Sequence, residues 1–275
     1  MRVYLNSKYF DGFQRSRDMT RPASANSTNR TAYSNNKVLD YYIGLDRLFP
    51  AETVLFEKLS ETIRNSRVLD IGIGGGRTTR HLLWLTDTYV GIDYVHQFID
   101  EARSRYRTGE FLVADASDLT EFADEAFDFV LFSYNGIDAL SHQERMKSLK
   151  EIYRVLSKGG TLMFSGHNLD YRHFNKPYWL INPEFNAGLI KNFLSYLFFL
   201  PRHLRMKRRE IYGDEYAIVN DCDHRYSLLV YYTSIGAQIK RLAEIGYSGS
   251  TAYNHKGEPV TSDVDSLWIY YVARK

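Results

Sequence analysis

The chain has 275 residues, of which 44% are apolar and 25% charged, the proportions of an ordinary globular protein with room for one elaborated α/β domain. Its formal net charge of +2 gives no broad positive field for gripping nucleic acid, and no apolar run is long enough to span a bilayer. A single cysteine, Cys222, excludes an internal disulfide and a cysteine-held cluster, which points to a reducing cytoplasm.

The amino terminus, "MRVYLNSKYFDGFQRSRD", lacks the apolar core of a signal peptide. Residues 1–36 form a polar, aperiodic segment, expected to be partly mobile. From 37 to 166 short apolar runs alternate with helical patterns. "RVLDI", "TYVGID", "EFLVAD", "FDFVLFS" and "GTLMFSG" read as buried strands. The clearest helix is "SHQERMKSLKEIYRVLSKGG". Ser141 and Glu144 make a capping box, Met146, Leu149, Ile152, Tyr153 and Leu156 line one face, and Gly159-Gly160 stops it. Alternating strands and helices imply a parallel sheet covered on both faces. Residues 167–225 form an aromatic, basic insertion. Residues 226–275 recover the rhythm with the helix "TSIGAQIKRLAEIGY", ending at Gly246, and the strand "SLWIYYVAR".

The stretch "RVLDIGIGGGRTTRHL" sets four glycines directly behind the first strand, with a helix expected from near Arg77. Glycine lets a ligand lie against bare backbone, and N–H groups at a helix start favour an anion. The spacing rejects a dinucleotide fingerprint, because the third glycine position holds Arg77. It also rejects a phosphate loop, which needs Gly-Lys-Ser/Thr. What remains is Asp70-x-Gly72-x-Gly74-x-Gly76.

That pattern resembles the first motif of the class I S-adenosylmethionine-dependent methyltransferases, and the likeness continues in order. The second strand ends in Asp93, followed by Tyr94; the third ends in Asp115-Ala116; the fourth presents Ser133 and Tyr134; and "RVLSKGG" precedes the fifth. The resemblance implies a Rossmann-like seven-stranded mixed sheet, order 3-2-1-4-5-7-6, with helices on both faces and a helical lid insertion. It implies S-adenosyl-L-methionine as cofactor, with Asp93 on the ribose hydroxyls and Asp115-Ala116 on the adenine amino group. Arg77 either pairs with the cofactor carboxylate or is an exposed helix-start residue. Tyr33 and Tyr41 either close over the methionine end or anchor the core.

Methyl transfer asks mainly for positioning, plus a base where the acceptor is a hydroxyl or carbon acid. His167, directly after the fifth strand, and His224, in "DCDHRYS", are the candidate bases, each with a structural alternative; Asp138 could replace them or belong to a turn. Members of the resembled family that methylate planar amide or nucleobase nitrogens carry an Asn/Asp-Pro-Pro-Tyr-like motif after the fourth strand; here Ser133-Tyr134-Asn135-Gly136 stands there, so the resemblance implies a different acceptor. No acidic cluster supports a metal. The expected acceptor is an oxygen or nitrogen of a small molecule: a sugar, a natural-product intermediate or a lipid-like metabolite.

In the insertion, Leu189, Ile190, Phe193, Leu194, Leu197 and Phe198 share a helical stripe opposite Lys191, Asn192 and Ser195. Arg202, Arg205, Lys207, Arg208 and Arg209 follow Pro201. Three readings compete: a lid whose apolar face covers the site, a helix in 188–209 touching anionic lipid, and a phosphate- or nucleic-acid-binding arm, the last opposed by the near-neutral overall charge. A non-catalytic cofactor-binding or partner subunit would share the same motifs.

Overall fold

A computed structural model describes residues 29, 33, 36–176, 187–220 and 226–275. His224, Cys222 and most of the 1–36 segment lie outside the described residues.

The chain enters through α1 (Asn36–Ile43), α2 (Pro50–Lys58) and α3 (Ser60–Arg64). Pro50 opens α2, where its missing N–H costs nothing, and the Phe49 amide donates to the Glu52 carboxylate at 2.8 Å. Three strand–helix units follow: β1 (Val68–Ile71) and α4 (Thr79–Leu85), β2 (Tyr89–Asp93) and α5 (His96–Arg105), then β3 (Glu110–Val113). β4 (Phe127–Phe132) leads through a short 3-10 turn (Gly136–Ala139) and α6 (His142–Val155) into β5 (Leu156–Asn168). Strands β1 to β5 pair in parallel, in the order β3-β2-β1-β4-β5.

The capping box of α6 forms as expected: the Ser141 amide donates to Glu144 at 3.0 Å and the Glu144 amide to Ser141 at 3.3 Å. The helix ends four residues earlier than its sequence pattern suggests, because Leu156 already begins β5 and Gly159 (φ +78°) falls within the strand. Its inward face also differs. Arg145, Ser148, Leu149, Ile152 and Val155 are buried, whereas Met146 and Tyr153 are half-buried. Arg145 is buried with internal partners, Asp138 and Gln238.

The last third holds α7 (Ala187–Lys207), β6 (Ile211–Tyr212), β7 (Tyr216–Val219), β8 (Val230–Thr233), α8 (Ile235–Ile245), β9 (Ser248–Tyr253), β10 (Pro259–Val260) and β11 (Trp268–Arg274). Helix α8 starts at Ser234, whose side chain accepts from the Ala237 amide, and stops at Gly246 (φ +118°). Strand β11 inserts antiparallel between β5 and β9. The path β3-β2-β1-β4-β5-β11-β9 is therefore the expected 3-2-1-4-5-7-6, inside a sheet of eleven strands rather than seven. The surplus has a simple cause. β5 is 13 residues long and its last pairing with β4 is at Phe164, so its end is left without a neighbour on that side. β8 takes this edge at His167 and Asn168 and brings β7 and β6 with it.

Period-two alternation divides two cores across the sheet. Leu69, Val130, Leu162 and Phe164 face Leu149 and Ile152 of α6 and Leu242 of α8. Val68, Phe129, Leu131 and Met163 face Leu55, Ile63, Leu82 and Ile99 on the other side. The parallel strands thus present their carboxyl ends on one edge, where ligands of open α/β sheets lie.

Helix α7 turns its apolar stripe away from the protein. Its buried side chains are Phe199 and Met206, and the stripe expected to cover a site faces outward, with Ile190, Leu194 and Phe198 at 60%, 57% and 75% exposure. The side chain of Leu189 lies outside the described residues.

Candidate functional site

The glycine loop leaves β1 through Gly72, Gly74 and Gly76, all at positive φ (+68°, +52° and +82°). Arg77 and Thr78 lie in this turn, two residues before the helix. Gly75 is the most constrained position: a Cβ there would overlap the Tyr42 carbonyl oxygen and the Ile43 Cα at the end of α1. The Tyr42 ring lies 3.8 Å from where a Gly74 Cβ would be. Bare backbone is needed here partly so that α1 can seat on the loop.

Three acids stand on adjacent strand ends, in different settings. Asp70 is buried beneath the loop, and its Oδ2 accepts from Thr78 Oγ1 at 2.9 Å and the Tyr89 hydroxyl at 3.0 Å. Burial pushes its carboxyl up to about 7. It ties strand to turn. Asp93 faces the loop: Gly74 N donates to Oδ2 at 3.0 Å and Val95 N to Oδ1 at 2.9 Å. Each oxygen keeps further acceptor capacity, and burial lifts this carboxyl to about 6. Asp115, half-buried two residues past β3, accepts from Ser117 N and Oγ at 2.8 and 2.9 Å, beside Ala116.

Arg77 is neither exposed nor available as a lone cation. Glu52 binds both terminal nitrogens, one at 2.7 Å, and Nη2 also donates to Ser133 Oγ at 3.1 Å. Both members of this pair are buried, and the guanidinium stacks over the rings of Phe49 and Tyr134 at 4.8 and 5.2 Å. Its charge is met within the protein. Sequence reading missed Glu52, whose only signal was its place in the first turn of α2.

Beyond β4, Tyr134 and Asn135 both adopt left-handed backbone (φ +51° and +56°), a conformation unfavourable for residues with a Cβ. Ser165 Oγ accepts from Asn135 N at 2.9 Å and holds the bend. Tyr134 is thereby aimed at Tyr42, Phe49 and Trp268, with centroids 5.8, 5.0 and 5.6 Å away. Tyr41 reaches the Tyr134 hydroxyl at 3.4 Å, and Tyr33 packs on Tyr42 and Tyr94. Tyr42, not singled out from sequence, is half-buried and packs edge-on to Tyr41, Phe98 and Tyr134. Burial and neighbouring Tyr33 raise its pKa well above the ordinary value, so it remains a neutral phenol.

These rings wall a narrow hollow of about 30 Å³, partly open to solvent, whose lining includes Tyr42, Tyr134, Asn135, Asp138, His167 and Trp268. His167 stands at the end of β5. Asp138 Oδ2 accepts from its backbone amide at 2.6 Å and lies 2.8 Å from its Nδ1. The other Asp138 oxygen accepts from Arg145, which donates in turn to Gln238 at 2.9 Å. Asp138 Oδ2 is placed to accept from Nδ1–H, the arrangement that in a neutral imidazole leaves the lone pair on Nε2. Two further polar atoms of the lining, Asn135 Oδ1 and Trp268 Nε1, are buried without a hydrogen-bond partner. Such atoms are costly unless a ligand meets them. Among the described residues there is no group of three metal-ligating side chains.

The expected site residues therefore fall into two groups. Asp93, Tyr94, Asp115, Ala116 and the glycines line the ends of β1 to β3, while Ser133, Tyr134 and His167 gather at β4 and β5. Asp70 and Arg77 support the site from behind.

The family model of a methyltransferase domain matches residues 69–164, from β1 through β5. An O-methyltransferase of Aspergillus nomiae, rstn1, is 34% identical over 122 residues, 42% of this chain and 52% of the relative. The ubiquinone/menaquinone biosynthesis C-methyltransferase UbiE of Geotalea daltonii is 25% identical over 174 residues, 58% and 70% of the two chains. The chain spans about half the length of the first of these relatives. Among solved structures, a Burkholderia thailandensis 1,6-didemethyltoxoflavin-N1-methyltransferase with S-adenosylhomocysteine bound superposes with a TM-score of 0.56 at 14% identity, covering 94% of this chain and 92% of its own. A Mesorhizobium loti S-adenosylmethionine-dependent methyltransferase gives 0.55 at 13% identity, covering 82% and 98%. At such identities these two likenesses establish the fold.

Proposed function

We propose that this chain, whose residues 69–164 match the family model of a methyltransferase domain, is a class I S-adenosylmethionine-dependent enzyme that methylates a hydroxyl oxygen of a small, flat, aromatic acceptor. The observation that carries the reading is His167, oriented by Asp138 at the wall of an aromatic hollow. The glycine turn, with three residues at positive φ, fits a cofactor laid against backbone, and Asp93 and Asp115 stand where ribose and adenine would be held. When bound, S-adenosylmethionine supplies a methyl group already activated by its sulfonium.

What remains for the protein is orientation, exclusion of water and removal of one proton. Tyr42, Tyr134 and Trp268 offer faces against which a planar ring can stack. His167 Nε2 takes the hydroxyl proton; Asp138 holds the ring and stabilises the imidazolium, while Arg145 fixes Asp138. Asn135 Oδ1 and Trp268 Nε1 suit an acceptor with a donor and an acceptor group beside the reacting hydroxyl. The 34% identity to an O-methyltransferase supports oxygen as the target.

The test is turnover of isotope-labelled donor against matched phenols, anilines and aliphatic alcohols. We expect phenols to be labelled, and His167→Ala to lower kcat by about 10²–10⁴-fold while calorimetry shows unchanged S-adenosylhomocysteine affinity. Full activity in His167→Ala, or labelling of anilines alone, would refute a histidine-assisted O-methylation. Tight cofactor binding with no turnover on any acceptor would favour the non-catalytic reading.

A further inference from the structure

Helix α7 is amphipathic in the wrong sense for a protein that meets only water. Its inner side is already seated: Phe199 and Met206 are buried, the latter with Ile218, Leu229 and Tyr231. Its outer side carries Ile190, Leu194, Leu197, Phe198 and Leu204, each between 45% and 75% exposed. The short strand β6 that follows also exposes Ile211 and Tyr212, at 48% and 56%. Five exposed apolar side chains on one helix face mark a contact face rather than chance.

Charge says what the face meets. No Asp or Glu occurs from 187 to 209, whereas Lys191, Arg205, Lys207 and Arg208 are exposed around the stripe and toward its carboxyl end. None of these four cations is held in an ion pair among the described residues. At 21 residues the helix is not apolar enough to cross a bilayer, and no described helix is. An apolar face with a basic border is the pattern of a helix lying in the membrane interface.

We infer that α7 is a docking helix for anionic membrane surfaces, its outer face sunk among acyl chains and its cations on lipid headgroups. This goes beyond the methylation reading and does not need it. It does have a spatial consequence. Met206 packs on Leu229, and Leu228, Leu229 and Val230 line the aromatic hollow, so the docked helix would hold the acceptor site beside the lipid surface.

Vesicle co-sedimentation of the full chain tests it, using phosphatidylcholine alone and a two-to-one mixture of phosphatidylcholine and phosphatidylserine. The chain should pellet with the mixed vesicles and remain largely in solution with the neutral ones. Leu194→Glu/Phe198→Glu should lower binding at least about tenfold, with the melting temperature unchanged because both side chains are exposed. Arg205→Ala/Arg208→Ala should lower it roughly fivefold per cation and flatten its salt dependence. Equal recovery in solution with and without anionic vesicles overturns the proposal. So does binding that survives the glutamate pair, or a chain that self-associates through this face, becomes monomeric in the glutamate variant and never binds lipid.

Discussion

Asp93 is a buried carboxyl whose pKa is lifted to about 6 by desolvation, and a ribose contact requires it as an acceptor. The ionised form takes over as pH rises through 6, so affinity for S-adenosylhomocysteine should rise over the same interval. Asp93→Ala should cost about 1–3 kcal/mol of binding and abolish that pH dependence; calorimetry at several pH values reads both. Asp70 behaves differently because its partners are internal. Its folded pKa, about 7, lies above the ordinary 3.8, so its contribution to stability is complete below about 4 and is lost as pH rises through 7. Asp70→Asn keeps an acceptor for Thr78 and Tyr89 but cannot ionise. Its melting temperature should therefore gain on the wild type between about pH 4 and 8, seen in a pH series of thermal melts. In the hollow, Trp268→Phe keeps a smaller aromatic face and deletes the unpartnered N–H. If that group meets the acceptor, KM should rise up to about tenfold with kcat little changed.

At the scale of elements, the contact between α1 and the glycine turn is the least expected feature. Gly75 touches the backbone of Tyr42 and Ile43, so that α1 covers the carboxyl end of β2 together with Leu39, Val95 and Phe98. Gly75→Val must push the helix away, because the obstructing atoms are backbone and cannot rotate aside. The expected cost is about 1–3 kcal/mol, with faster hydrogen exchange confined to residues 36–43. Unchanged exchange there would mean that the turn, not the helix, yields. The long β5 matters for the same reason: its overhang past β4 supplies the free edge on which β8 pairs, and His167 belongs to that overhang.

For the whole molecule, Arg145 joins parts far apart in the chain. It is fully buried on α6, pairs with Asp138 of the 3-10 turn, donates to Gln238 of α8 and stacks on Tyr231 of β8 at 4.5 Å. Replacing it with Ala leaves Asp138 buried without its cation, at a cost of about 3–5 kcal/mol in a urea titration. A double variant, Asp138→Asn/Arg145→Met, strands no charge and should recover most of that stability while still losing the orientation of His167. The separation of stability from activity in the pair would assign the network its positioning role.

How much of this was legible beforehand follows from distance along the chain. The strands, the crossovers, the Ser141 cap and the Asp-x-Gly-x-Gly-x-Gly turn are local patterns, set by side-chain period, capping and backbone sterics over a few residues. The sheet order and the place of Asp93 and Asp115 at its ligand edge followed from the family resemblance that these motifs carry, and the place of His167 from its position directly after the fifth strand. Local pattern could not foresee that Glu52 would neutralise Arg77, that Asp138 would contact His167 rather than serve a turn alone, or that Arg145 would be buried between Asp138 and Gln238. Each depends on residues between 7 and 93 positions apart meeting in a dry interior, where a charge is tolerated only if another group satisfies it. Periodicity likewise found the apolar stripe of α7 but not its direction. A helix has two sides, and only the packing of Phe199 and Met206 decided which of them was left to face outward.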